Sequence, residues 1–246
     1  MAIGSAGPRR RVLLLASAVG LLGLAAAAHG AAPDARSHRC RALRRHAAPA
    51  WERPRRMTVL VDSVLLSGAR PLRAEMPCWR IDMRGRPALM IRIAERELRA
   101  RGRRVAPLVV VGLGYNSLWE RRRRRYRVWA RRFDGEARRL LRTLRRLGAR
   151  QVVWVTLREP NARTVPPRAR DELGEYSWYF PYVNERLRRL DRRGDDLVLA
   201  DWRAASNRPG VTYDSIHLDV RGGRLMARTI KGAIFAEARR QARAGS

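Results

Sequence analysis

The sequence is poor in the residues that bind metals and shuttle protons: its 246 residues include only 4 histidines and 2 cysteines. No group of His, Cys, Asp and Glu has metal-ligand spacing. A phosphate-binding glycine loop is missing as well, since Gly112-Leu113-Gly114 lacks the third glycine such a loop needs. These gaps argue against a metal or other cofactor. Lysine is nearly absent too. Of 54 basic residues, Lys231 alone is not arginine, and with 22 acidic residues the formal net charge is +32. A balance of this kind ordinarily points to nucleic acid. Here the arginines run the whole length of the chain instead of gathering in one arm, which reads as solvated faces. Biased coding in a GC-rich genome produces the same excess. The charge still favours loose association with anionic lipids or envelope polymers.

Apolar residues make up 46% of the chain, enough for one globular domain, and the length leaves no room for two large ones. The first 30 residues read as a signal peptide or an N-terminal anchor. Arg9, Arg10 and Arg11 precede an uncharged apolar run from Val12 to Ala28, with small residues around Gly30 and Ala31. Either reading places the rest of the chain outside the cytoplasm, secreted or membrane-anchored. The two cysteines, Cys40 and Cys78, suit that address: one disulfide and two unpaired thiols are both compatible with the sequence. Residues 31–56, rich in Arg, Ala and Pro, form an irregular extension, and residues 57–246 form the main domain.

Within that domain short β-prone runs alternate with segments of helical period. Strands are expected at Thr58–Val61, Trp79–Met83, Leu108–Gly112, Gln151–Leu157 and Asp196–Asp201. Helices are expected at Pro87–Arg101, with proline in the first turn, at Arg123–Leu147, at Pro181–Arg192 and at Arg221–Ala242. The alternation implies an α/β fold, a three-layer α/β/α sandwich around a five-stranded parallel sheet of flavodoxin-like type. Ligands of such folds gather at the carboxyl ends of the strands, and the chemically capable residues fall there. Ser63 follows the first strand directly, Asn116 follows the third through Gly112-Leu113-Gly114-Tyr115, and Asp214-Ser215-Ile216-His217 precedes the last helix.

A serine hydroxyl needs a base within hydrogen-bond reach to become a nucleophile. His217 is the best placed of the four histidines, because His29 lies in the leader and His38 and His46 lie in the extension. Asp214, three residues earlier, can reach the imidazole Nδ1 and fix its tautomer. The expected catalytic set is therefore Ser63, Asp214 and His217. The oxyanion donors expected are the Ser63 backbone N–H, the Gly85 N–H after the second strand and the Asn116 amide.

These residues resemble the blocks of the SGNH (GDSL-type) hydrolase family. Val61-Asp62-Ser63-Val64 is similar to its first block, Arg84-Gly85-Arg86-Pro87 to its second, Gly114-Tyr115-Asn116-Ser117 to its third and Asp214-Ser215-Ile216-His217 to its fifth. The similarity runs from Met57 to Phe235, and its flavour is that of the exported actinobacterial branch and the acyltransferase-linked domains. It implies the SGNH hydrolase fold and a serine esterase acting on small-molecule, glycan or lipid esters through an acyl-enzyme. Acyl transfer by the same triad and a catalytically silent envelope-binding relative are the alternatives. Two positions depart from the family pattern: Val61 stands where glycine is usual, and Ser117 where aspartate is common.

Asp62 reads as a turn residue accepting N–H bonds after the first strand, Ser67 as part of the following helix, and Ser215 as a turn residue. The run Tyr176-Ser177-Trp178-Tyr179-Phe180-Pro181-Tyr182 allows two readings, a platform for a sugar ring or acyl chain and a loop anchored by its own aromatics.

Overall fold

A computed structural model describes residues 55–117, 123–176, 178–192 and 197–244. The expected leader, the extension to residue 54 and Cys40 lie outside the described residues. Cys78 is disulfide-bonded.

The five strands form where the apolar runs occur, with ends displaced by at most two residues: β1 (Arg56–Val61), β2 (Arg80–Gly85), β3 (Leu108–Gly112), β4 (Gln151–Val155) and β5 (Leu197–Ala200). They make one sheet of order β2-β1-β3-β4-β5, and every pairing is parallel. All residues of β3 and β4 are buried. Both faces of the central strands are covered, which is why their sequences read as unbroken apolar runs instead of alternating ones.

The helices are α1 (Ser63–Ser67), α2 (Ala69–Glu75), α3 (Ile91–Arg101), α4 (Tyr126–Arg146), α5 (Leu173–Tyr176), α6 (Phe180–Arg192), α7 (Trp202–Ala205) and α8 (Val220–Ala244). α2 packs with α8, which also lies on β4 and β5; α3 packs with α4, and α4 with α6. The result is the expected α/β/α sandwich. Phe133, Ala137, Leu140 and Leu144 form the buried stripe of α4, as their spacing requires. Among the described residues, no helix is long and apolar enough to cross a membrane.

Two helix starts differ from expectation. The helix expected from Pro87 begins at Ile91, because Ala88 has φ +57, a left-handed backbone that no right-handed helix accommodates. The helix expected from Arg123 begins at Tyr126 after one 3₁₀ turn over Arg123–Arg125. Consecutive cations at a helix N-terminus oppose the macrodipole, and the capping position, Arg125, supplies no side-chain acceptor.

Among the described residues β2 is an outer strand, paired with β1 alone. A cavity of about 460 Å³ lies between it and α3, walled in part by Arg84, paired with Asp82 at 2.8 Å, and Arg86, paired with Glu97 at 2.8 Å.

At the other end of the chain, Gly222 and Gly223 lie in the first turn of α8. A Cβ on Gly222 would stand 1.8 Å from the Val211 carbonyl oxygen. The bare glycine lets α8 press against the segment that carries Asp214 and His217. Gly222→Ala is therefore expected to cost about 3 kcal/mol by forcing backbone apart. The measurement is a thermal melt, with Tm expected to fall by roughly 6–12 °C.

Candidate active site

In a sheet of this order the crevice opens where the chain reverses its direction of winding, between the carboxyl ends of β1 and β3. Asp62 and Ser63 lie at the first of these ends and Asn116 near the second. Asp62 is fully buried and caps α1, its Oδ1 accepting the Val64 N–H at 3.1 Å. Ser63, the first residue of the helix, keeps a backbone N–H with no intrahelical acceptor. The second carboxyl oxygen of Asp62 accepts Asn116 Nδ2–H at 3.2 Å. Asp62 thus has the turn role read from the sequence and a second one that was not: it orients the Asn116 amide, whose other N–H remains for a ligand. Burial pushes the Asp62 carboxyl up to about 7, against the opposing pull of the Val64 N–H, the His217 charge and the Asn116 amide.

The fourth site segment folds on itself. An antiparallel bridge joins Thr212 to Leu218, and the Tyr213 N–H donates to the His217 carbonyl at 3.0 Å. Inside this loop Asp214 Oδ1 accepts the backbone N–H groups of Ile216 at 2.8 Å and His217 at 2.6 Å. Its Oδ2 lies 2.7 Å from His217 Nδ1. His217 Nε2 in turn lies 3.0 Å from Ser63 Oγ. With Nδ1–H donating to the carboxylate, Nε2 carries a lone pair that can accept a hydrogen bond from the Ser63 hydroxyl. The three residues singled out in the sequence are thus brought into one hydrogen-bonded line. Burial raises the Asp214 carboxyl, but hydrogen bonds from the His217 ring and from the His217 and Ile216 N–H groups hold it below its usual value. The hydrogen bond to Asp214 raises His217; burial opposes this, while the charges of Asp214, Asp62 and Glu172 add to it.

Gly85 stands level with Val61 across the β1–β2 ladder. A Cβ at this position would lie 1.9 Å from the Val61 carbonyl oxygen and 2.7 Å from Val61 Cγ2. The two strands come so close here that position 85 admits only a residue without a side chain. The neighbouring Ser63–His217 contact keeps hydrogen-bond length. The hydroxyl of Ser117, the other departure, is buried without a hydrogen-bond partner.

Several residues that support the site were not identified from the sequence. Arg158, 1% exposed, donates to the carbonyls of Ser206 and Thr164, the latter at 2.7 Å. It fastens the stretch after α7 to the loop that leaves β4. Asn184, fully buried in α6, accepts the Leu157 N–H at 2.7 Å and donates to the Leu157 carbonyl at 2.8 Å. Tyr115 OH accepts the Arg158 N–H at 2.7 Å. The same loop touches the Asp214 segment twice: Arg168 donates to the Tyr213 carbonyl at 2.9 Å, and Ser215 Oγ donates to Glu172 at 2.9 Å. In a chain so rich in arginine, no pattern marks Arg158 as the buried one. The aromatic run takes the anchoring reading. Tyr179 and Phe180 are buried, Trp178 packs against the core, and Tyr179 OH donates to the Tyr115 carbonyl. Among the described residues, no cluster of His, Cys, Asp and Glu is placed to hold a metal ion.

No protein-family model matches the chain, and no curated protein matches it in sequence. Solved structures do match. The C-terminal catalytic domain of a Streptococcus pneumoniae peptidoglycan O-acetyltransferase superposes with TM-score 0.55 at 18% identity, over 73% of this chain and 92% of that one. An acetyl xylan esterase gives 0.57 at 15%, over 72% and 98%. A GDSL-like lipase from Bacteroides thetaiotaomicron gives 0.55 at 15%, over 82% and 98%. The shared fold is the SGNH hydrolase fold, as the sequence resemblance implied.

The geometry sets the titration of the imidazole. In a two-dimensional NMR titration the His217 midpoint is expected above 6.5, the value for an unperturbed imidazole. Asp214→Asn removes the partner that favours imidazolium, so the midpoint is expected to move down. An unchanged midpoint would show that the Asp214 contact is not made in solution.

Proposed function

We propose that this chain is an exported SGNH-type serine esterase that removes acyl groups from envelope carbohydrate or lipid. The observation that carries the reading is the continuous contact from Asp214 through both ring nitrogens of His217 to Ser63 Oγ, at 2.7 Å and 3.0 Å. The similarity to an acetyl xylan esterase and to GDSL-like lipases supports it. The apolar leader and the disulfide at Cys78 support the extracytoplasmic address, and the +32 charge supports loose contact with anionic envelope surfaces.

In this mechanism Ser63 Oγ attacks the ester carbonyl as His217 Nε2 takes the hydroxyl proton. Asp214 holds the tautomer and stabilises the imidazolium. The Ser63 and Gly85 N–H groups and the free N–H of Asn116 receive the oxyanion. Collapse breaks the bond to the alkoxide, which leaves as the alcohol with the proton from His217. Water, deprotonated by the same nitrogen, then releases the carboxylic acid and restores Ser63. Because the base must be neutral, kcat/KM falls as pH drops through the His217 pKa. The raised pKa moves that acid limb above the position set by a free imidazole.

A serine-directed fluorophosphonate is expected to label the wild-type protein, and Ser63→Ala is expected to abolish both labelling and ester hydrolysis. Asp214→Asn is expected to lower kcat roughly 10⁴-fold. Labelling that survives Ser63→Ala would remove Ser63 as the nucleophile.

The similarity to a peptidoglycan O-acetyltransferase domain favours a second reading, in which a sugar hydroxyl replaces water in the last step. Acceptor competition distinguishes the two: faster capture of the acyl group by an added glycan than by water would establish transfer.

A further inference from the structure

Tyr213 stands apart from the other aromatic residues of the molecule. Among residues whose side chains are described, it is the one exposed aromatic, at 51%. The others are buried or half-buried. Its ring lies beside the imidazole of His217, the planes 13° apart and the centroids separated by 5.8 Å. That spacing is wider than face-to-face contact, so the two rings are offset and nearly parallel.

The position is also fixed. The Tyr213 backbone is held on both sides, its N–H by the His217 carbonyl at 3.0 Å and its carbonyl by Arg168 at 2.9 Å. An exposed aromatic on a freely moving loop would lose conformational entropy when a ligand settled on it. The backbone that carries this one has already given up that freedom in folding.

We propose that Tyr213 is a stacking platform for a sugar ring, and that the ester hydrolysed at Ser63 is carried by a carbohydrate and not by a lipid. The proposal rests on the esterase reading above and names its substrate class. A pyranose has one face of C–H bonds, which packs on an aromatic ring, and a rim of hydroxyls, which needs polar neighbours. Tyr213 supplies the ring. Arg168 and Glu172, both exposed and both bonded to the Asp214 segment, supply donors and an acceptor at the rim. An acyl chain would need an enclosed apolar channel, and a half-exposed ring whose segment carries a guanidinium and a carboxylate is a poor wall for one. The aromatic run at 176–182, the other place where stacking was conceivable, has its central rings committed to the core.

The test compares three esters: an O-acetylated β-1,4-linked oligosaccharide, ethyl acetate and a medium-chain monoglyceride. For Tyr213→Ala, the ratio of kcat/KM on the oligosaccharide to that on ethyl acetate is expected to fall about tenfold, through KM. Tyr213→Phe and Tyr213→Trp are expected to restore the ratio, because the ring and not the hydroxyl does the stacking. An unchanged ratio in Tyr213→Ala, or a wild type that prefers the monoglyceride, would overturn the proposal while leaving the esterase reading intact. A wild type that hydrolyses none of the three would overturn the esterase reading instead. The platform is then tested without turnover, by saturation transfer from Ser63→Ala protein to the oligosaccharide. A signal that is absent, or that persists when Tyr213→Ala is added, refutes it.

Discussion

The site depends first on a carboxyl group buried where β1 ends. Asp62 has no exposure to solvent, and each of its oxygens accepts a hydrogen bond from a different part of the chain. One bond starts the helix whose first residue is Ser63; the other holds the amide of Asn116, more than fifty residues away. Without this group Ser63 and Asn116 would belong to separate loops. The arrangement carries an energetic penalty, visible in a carboxyl pushed up to about 7 by burial. A buried carboxyl is tolerated only where hydrogen bonds and an opposing charge compensate it. The nearby His217 supplies part of that charge, so the electrostatics of the pocket and the placement of its groups are coupled.

The second requirement is to bring a segment beyond residue 210 against a serine at residue 63. The long connection between β4 and α6 does much of this. It is bound to the scaffold by Asn184 and Tyr115, to the stretch after α7 by Arg158, and to the Asp214 loop by Arg168 and Glu172. These are mostly bonds from side chains to backbone, which satisfy the polar groups of an irregular segment that has no ladder of its own. The loop is thereby stiffened by the same bonds that make it possible to bury.

What could be read from the sequence follows from the range of the forces involved. Buried parallel strands announce themselves as apolar runs, and the Asp214–His217 spacing fits within one tight loop, so both were legible. Ser63 and Asn116 were legible through position, because the fold class locates the crevice. Gly85 was placed after its strand, but its close approach to Val61 is a contact between neighbouring strands and leaves no trace along the chain. Pro87 suggested a helix start that the left-handed Ala88 prevents, a choice made by the turn out of β2. Arg158 was hidden among its many equals. Tyr213 was passed over because one tyrosine beside an Asp-x-x-His motif is ordinary until its exposure is known.

The outer strand β2 offers a different lesson. Among the described residues its outer edge has no partner strand, and an open edge is the usual template on which one sheet recruits another. Along this strand Arg80, Asp82 and Arg84 alternate with apolar residues, and the molecule as a whole carries a large excess of one sign. Charged side chains along an outer strand are one of the devices that discourage such pairing, so the arginine excess, which gives little guidance about partners, has a place on this strand.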